Sequence, residues 1–277
     1  MSQTLILGAN GTVGSSLTQL LTARGVKVLK ATSKTPKSGE RHLDLLTQKG
    51  LSDAFIDVDR AFLLSPPGHV NQDELLLPVI NQARISGVKK IVLMTAMGVD
   101  ANEAAPLRIV ECSLERSGIA YNIIRPNWFM QNFNSYWIHG INEFGKILLS
   151  TGEGRGSFID ARDIAATAAS LLTSSKFDNQ AFDLTGPRAL NHHEVAKILS
   201  RVSHREITYQ DITPAQMREG LIAAGLPAPY SEFMLTILEF FKLGYSERVT
   251  SAVQDITGVT PRSFESYAED FKAAWIR

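Results

Sequence analysis

The sequence predicts an α/β fold: a doubly wound parallel sheet followed by a smaller, mostly helical C-terminal lobe. Three observations carry that prediction. Short apolar runs alternate with amphipathic stretches through the first half, the pattern of parallel strands under covering helices. The chain opens with "TLILGANGTVGSSLTQLL" (residues 4–21), in which an apolar run breaks into glycines and resumes at helical spacing. Beyond about residue 127 the alternation fades, and from Asn191 onward the patterns are mostly helical.

Leu5, Ile6 and Leu7 read as a buried first strand, and Leu17, Leu20 and Leu21 as the inner face of the helix after the glycines. Further strands are expected at "VKVLKA" (26–31), "RAFLLS" (60–65), "KKIVLMT" (89–95) and "AYNIIRP" (120–126). Runs apolar throughout, such as "IVLM", fit strands covered on both faces. "LSDAF" and "NQDELLLPVINQARISG" carry apolar residues three and four apart, and Gly87 and Gly118 fall where helices should stop. Further on, "NWFMQNFNSYWIHG" is aromatic and amide-rich, and "STGEGRGSF" reads as a loop with short flanking strands. "DARDIAATAASLLTSS" is a helix and "QAFDLTGP" one more strand. Helices are expected over 191–203, 213–224, 230–243 and 262–275. Residues 1–150 thus form a Rossmann-type nucleotide-binding domain to which 157–186 returns. Residues 187–277 form a mostly helical substrate-binding lobe, and 127–160 is the crossing region.

Composition narrows the function classes. The 28 Lys and Arg balance the 28 Asp and Glu, so no basic excess points to nucleic acid or to a membrane surface. No apolar run approaches the roughly 20 residues of a membrane span. The one cysteine, Cys112, excludes an internal disulfide framework and fits a reducing, cytoplasmic setting. No metal site is expected. Monomer and homodimer both stay open.

Gly8, Gly11 and Gly14 give a G-x-x-G-x-x-G spacing, one residue longer at the first gap than the usual dinucleotide fingerprint. Its physical logic is the same. Glycines allow the tight turn and let backbone approach a pyrophosphate, while the helix start offers unpaired N–H groups and a positive dipole end. Asn10, Thr12 and Val13, set between those glycines, join the candidate cofactor contacts. An NAD site wants a carboxylate at the end of the second strand. Here that end reads "KATSKTPK", with Ser33, Lys34 and Lys37 and no acid before Glu40. A hydroxyl and two cations suit a 2′-phosphate, so NADP(H) is preferred over NAD(H). A solvated surface loop is the plainer alternative for those lysines.

Six stretches, "GANGTVG", "HLDL" (42–45), "FLLSPPG" (62–68), "SGIAYNIIRPNWFMQNF" (117–133), "FIDARDIAATAA" (158–169) and "GVTPRSFESYAEDF" (258–271), together resemble one family. It is the NmrA-like branch of the atypical short-chain dehydrogenases. That branch includes NAD(P)H-dependent quinone, azo-dye and triphenylmethane-dye reductases, and redox-sensing regulators that bind the cofactor without turning it over. The resemblance implies roles for particular residues. Asp44 and Leu45 would lie against the adenine, and Leu64, Ser65 and Pro66 on the adenine-ribose side. Thr95 and Ala96 would face the nicotinamide ribose, and Pro126 and Asn127 would border the nicotinamide ring. Capping of the following helix is an equal alternative for Asp44.

Typical short-chain dehydrogenases place a Tyr-x-x-x-Lys pair on the helix after the fifth strand. Here "ANEAAPLRIVECSLERSG" occupies that helix, with Arg108 at the lysine position and Ala104 at the tyrosine position. Arginine is not tunable as an acid–base group, although it can bond a ribose or a phosphate. The implied activity is NADPH-dependent hydride transfer to a planar, electron-poor acceptor, a quinone or azo compound, without that relay. The alternative is a non-catalytic NAD(P)-binding redox sensor acting through a protein partner. Proton-donor candidates are His69, Tyr136 and His139, each of which a loop contact would also explain. His192 and His193 read as surface residues at a helix start. Trp128, Phe129, Asn132 and Tyr136 are expected to wall a pocket for a small aromatic or quinonoid substrate, closed by Met217, Phe233 and Met234. Burial of these aromatics in a core is the competing reading.

Overall fold

The computed structural model describes residues 3–276. The chain divides into two compact units, one of residues 1–126, 161–183 and 255–258, the other of 127–160, 184–254 and 259–277. Up to Pro126 the elements are β1 (Gln3–Ile6), α1 (Thr12–Ala23), β2 (Lys27–Thr32), β3 (Glu40–His42), α2 (Leu51–Ala54), β4 (Arg60–Leu64), α3 (Gln72–Ile85), β5 (Lys90–Met94), α4 (Pro106–Glu115) and β6 (Ala120–Pro126). Next come α5 (Ile138–Phe144), β7 (Lys146–Leu149), β8 (Arg155–Gly156), α6 (Ala161–Thr173) and β9 (Gln180–Leu184). The last are β10 (Leu190–Asn191), α7 (His192–Ser203), β11 (Thr208–Asp211), α8 (Pro214–Ala223), α9 (Ala228–Lys242), α10 (Ala252–Thr257) and α11 (Phe264–Asp270).

The first unit is built on a seven-stranded sheet in the order β3-β2-β1-β4-β5-β6-β9. Every pair from β3 to β6 is parallel, for example Ile6 beside Phe62 and Leu93 beside Ile123. The order 3-2-1-4-5-6 is the doubly wound arrangement whose ligand edge lies beyond the carboxyl ends of the strands. Leu5, Ile6, Phe62, Leu63, Ile91, Val92 and Leu93 have no exposed surface, as runs apolar on both faces require. On one face of the sheet, Leu5, Leu29, Phe55, Leu76, Val79, Val110 and Leu114 close a core. Helix α6 packs against α1, and its buried positions Ala165, Ala168 and Ala169 carry little bulk.

The second unit starts at residue 127, so the expected boundary near 150 is corrected. The reason is packing. Met130, Phe133, Ile141, Ile147, Leu149 and Phe158 share one core with Leu199, Phe241, Phe264, Tyr267 and Trp275. Phe133 meets the rings of Phe158, Phe264 and Trp137 edge-on at 4.7–5.3 Å between centroids. Two short strand pairs also belong here, β7 with β11 and β8 with β10, so this unit is not purely helical. Helices α7 and α8 each begin with a capping box, Asn191 with Glu194 and Thr213 with Gln216. The expected helix over 262–275 is shorter: α11 ends at Asp270, and a tighter turn covers Lys272–Ala274. Helix α10 lies in a stretch given no element from sequence.

Among the described residues no helix is long and apolar enough to cross a membrane. Nor do three His, Cys, Asp or Glu side chains among them gather as a metal site would require.

Candidate functional site

In the first unit the candidate cofactor residues line up along one edge of the sheet. Gly8 follows β1, Ser33 and Lys34 follow β2, Asp44 follows β3, and Thr95 follows β5, while Leu64 and Pro126 are the last residues of β4 and β6.

The glycine turn is built for close backbone approach. Gly8 adopts φ +64°, in the left-handed region. A methyl on Gly14 would lie 2.1 Å from the Gly8 carbonyl oxygen, so α1 can start this close to β1 only with glycine there. A methyl on Gly11 would touch only the same oxygen, at 3.2 Å. Gly11 N–H donates to Gly8 O at 2.8 Å, which pins the turn. No side chain caps α1, and its first turn has no acid. Its leading N–H groups and positive dipole end therefore face an open surface formed by Gly8, Asn10, Gly11 and Thr12, all exposed, with Val13 buried beneath. That cradle fits a dinucleotide pyrophosphate.

Beside the turn, the Leu64 methyls lie 3.2 Å from where a Gly8 side chain would start. Ser65 and Pro66 are half-buried next to it, with the Ser65 hydroxyl turned to the Pro66 carbonyl at 3.3 Å. Ser33, Lys34 and Lys37 are exposed, and Lys34 N–H donates to the Thr32 hydroxyl. Asp44 does not cap a helix. Its oxygens take the Leu46 N–H at 2.9 Å and the Thr47 hydroxyl at 2.8 Å, closing a turn before α2. These bonds, the Thr47 hydroxyl first, hold its carboxyl below the usual range. Leu45 packs against the core below. His69 lies in the loop before α3, where its carbonyl accepts from Gln72.

At the end of β5 an ion network appears that sequence reading missed. Glu111, with no exposed surface, receives Arg125 Nε at 2.9 Å on one oxygen and Arg125 Nη2 at 2.7 Å on the other. The Thr95 hydroxyl donates to the first of these oxygens at 2.7 Å, and Arg125 Nη1 reaches Asp100 at 2.7 Å. Ala96, next along, is exposed. Arg108 donates to Glu103, Glu111 and Glu115 at 3.1–3.2 Å. Burial works against its charge, but those three bonds outweigh it and raise its pKa. This guanidinium is engaged by carboxylates rather than held out for a ribose or phosphate. Ala104 precedes α4, which starts at Pro106 after Ala105 N–H bonds Asn102 O. The 104–108 pair therefore does not share a helical face. A charged residue at the inward phase of α4, between Leu107 and Leu114, was the available signal for Glu111, as was Arg125 inside an apolar strand.

The remaining candidates lie in the second unit. Asn127 is buried and its amide is fully used: Nδ2 donates to the Ser157 hydroxyl at 2.7 Å and Ser246 O at 2.8 Å, while Oδ1 takes the Trp128 N–H. Its side chain ties the Ser246 loop to the segment that follows β6. Trp128 is half-buried, edge-on to Phe241 and bonded through Nε1 to Ser246 Oγ. Phe129 and Asn132 are half-buried, whereas Tyr136 is 71% exposed. His139 is exposed against Phe144. Met217 is buried, Met234 half-buried and Phe233 exposed.

His192 corrects another expectation. It is 1% exposed, ringed by Phe133, Phe158, Tyr209 and Phe241, with Nδ1 2.9 Å from the Thr151 hydroxyl. Burial, helped by neighbouring His193 and opposed by Asp211, lowers its pKa to about 3. His193, its neighbour, is exposed.

Comparison with known proteins agrees with this geometry. The NAD(P)H-binding family model matches residues 8–175. Over 275 residues the chain is 32% identical to YesF, an uncharacterized oxidoreductase of Bacillus subtilis strain 168, spanning 98% of this chain and 96% of that one. It is 31% identical over 287 residues to the NAD(P)H azoreductase of Xenophilus azovorans, spanning 98% of both. Among solved structures, the Escherichia coli NADPH-dependent quinone oxidoreductase in complex with NADPH shares the fold, with TM-score 0.84 at 20% identity over 96% of this chain and 99% of that one. The chain belongs to the NAD(P)H-binding family and, with relatives such as the azoreductase, is an oxidoreductase.

Proposed function

We propose that this oxidoreductase uses NADP(H) in preference to NAD(H) and passes hydride to a planar, electron-poor acceptor of the quinone or azo class. It does so without a tyrosine–lysine relay. The observation that carries the reading is Arg108, which stands at the expected lysine position bonded to three carboxylates, while Ala104 offers no phenol. Ketone–alcohol exchange needs a positioned proton donor. A quinone or azo acceptor needs mainly proximity and orientation, and its reduced form takes a proton from water. The azoreductase relative supports the same acceptor class.

The α1 N-terminus and the Gly8–Gly14 turn hold the pyrophosphate in this reading. Ser33 and Lys34 supply a hydroxyl and a cation to the 2′-phosphate, where a carboxylate would repel it. When bound, the dihydronicotinamide supplies hydride. Thr95 borders the nicotinamide ribose, as the resemblance implies.

NADPH fluorescence titration, followed by absorbance decay with a panel of quinones and azo dyes, tests the proposal. Tight binding with acceptor-dependent oxidation is expected. Tight binding without oxidation by any member of the panel would overturn it in favour of a redox sensor.

A further inference from the structure

We propose that Glu111 is a positioning residue that makes Thr95 a pure hydrogen-bond acceptor toward the bound cofactor; this rests on the reading that Thr95 borders the nicotinamide ribose. A threonine hydroxyl has one proton, and a carboxylate oxygen can only accept. At 2.7 Å from Glu111 Oε1, the Thr95 hydroxyl must therefore donate to it. What Thr95 offers any ligand is its lone pairs.

Glu111 is held so that this direction cannot reverse. Oε1 also takes Arg125 Nε at 2.9 Å, and Oε2 takes Arg125 Nη2 at 2.7 Å and Arg108 Nη1 at 3.1 Å. The paired bonds to Arg125 fix the carboxylate plane, and the absence of exposed surface on Glu111 keeps water from competing. Thr95 N–H is bonded to Ile124 O, so the backbone at this point is also spoken for. The β-branched side chain adds a stiff χ1. The end of β5 thus selects groups that donate, such as a ribose hydroxyl or a carboxamide NH₂. It opposes a substrate carbonyl, which would meet lone pair against lone pair. The buried carboxylate beneath Thr95 consequently sets which way a ligand turns there.

The test measures NADPH dissociation constants, KM for NADPH, kcat and the thermal midpoint for Thr95→Val, Thr95→Ser, Glu111→Gln and the Thr95→Val/Glu111→Gln double variant. Thr95→Val should weaken NADPH about ten-fold, the scale of one lost hydrogen bond, and Thr95→Ser by no more than about two-fold. Glu111→Gln should weaken binding comparably and raise KM with kcat nearly constant. The double variant should bind no worse than Thr95→Val alone, because both changes act through one bond. Glu111→Asp keeps the charge for the arginines but withdraws the carboxylate from Thr95, and should show the same loss if Glu111→Gln does not fold. Unchanged NADPH affinity in a folded Glu111 variant, or additive effects in the double, would overturn the inference. Unchanged affinity in Thr95→Val would overturn it while leaving the cofactor reading intact. Failure of the wild-type protein to bind NADPH would remove that reading as well.

Discussion

The buried imidazole of His192 should make the second unit acid-sensitive well above the range where carboxylates titrate. In the folded chain its pKa is lowered from 6.5 to about 3, with burial the main cause. The unfolded chain therefore takes up a proton below about pH 6.5 that the folded chain refuses. Stability falls as pH drops from there and levels off only near pH 3. Between pH 7 and pH 5 one such site costs about 2 kcal/mol, from roughly 1.4 kcal/mol per pH unit over the part of the interval below 6.5. Asp44, Glu194 and Asp211 are held below ordinary values of 3.8 to 4.5, so their protonation weakens the fold only at lower pH. All three tryptophans, Trp128, Trp137 and Trp275, belong to the second unit, so their fluorescence reports on the part that holds His192. Urea unfolding followed by tryptophan emission at pH 7 and pH 5 is the assay, on wild type and on His192→Gln, which does not titrate. Wild type should lose about 2 kcal/mol more than the variant over that interval. Equal losses would refute the argument, and so would an imidazole pKa near 6 measured in the folded protein.

Three further outcomes follow from the glycine turn and the end of β2. Gly14→Ala places a carbon 2.1 Å from the Gly8 carbonyl, a backbone atom that cannot swing aside, and should destabilise by about 2 kcal/mol or more and abolish NADPH binding. Gly11→Ala should melt within a few degrees of wild type and weaken NADPH only; a thermal scan beside a titration distinguishes the two. Ser33→Asp with Lys34→Ala should lower the NADPH-to-NADH affinity ratio at least about ten-fold. Equal effects on the two cofactors would remove both residues from the 2′-phosphate.

The sheet was legible because its strands carry their burial in their composition. Ile91, Val92 and Leu93 are apolar on both faces and are covered on both faces, and the predicted strand at 120–126 coincides with β6. The second unit was less legible because its partners are distant in sequence. Trp275 Nε1 donates to Phe133 O across 142 positions, and nothing local to "NWFMQNF" announces that contact. The glycine turn could be read residue by residue, since backbone geometry there depends on near neighbours. The charged network could not, because Glu111 and Arg125 lie 14 residues apart on different elements. Two signals were nevertheless present. The Asn191–Glu194 capping box sets the phase of α7, which puts His192 on the same side as Val195 and Leu199. Glu111 likewise shares the side of Leu107 and Leu114. In both places a polar residue on an apolar stripe marked a buried role.

The interleaving of the two units has a consequence for synthesis. The chain passes between them at 126/127, 160/161, 183/184, 254/255 and 258/259. Strand β9, an edge of the large sheet, emerges from the ribosome only after residues 127–160 have been made. Those residues then wait for Leu199, Phe241 and Trp275 before their core can close. A nascent chain stalled near residue 160 would hold six strands of a seven-stranded sheet beside an exposed aromatic segment, the kind of intermediate that recruits chaperones. For the same reason neither unit can be cut out as one continuous fragment, and a split at any single loop leaves both halves incomplete.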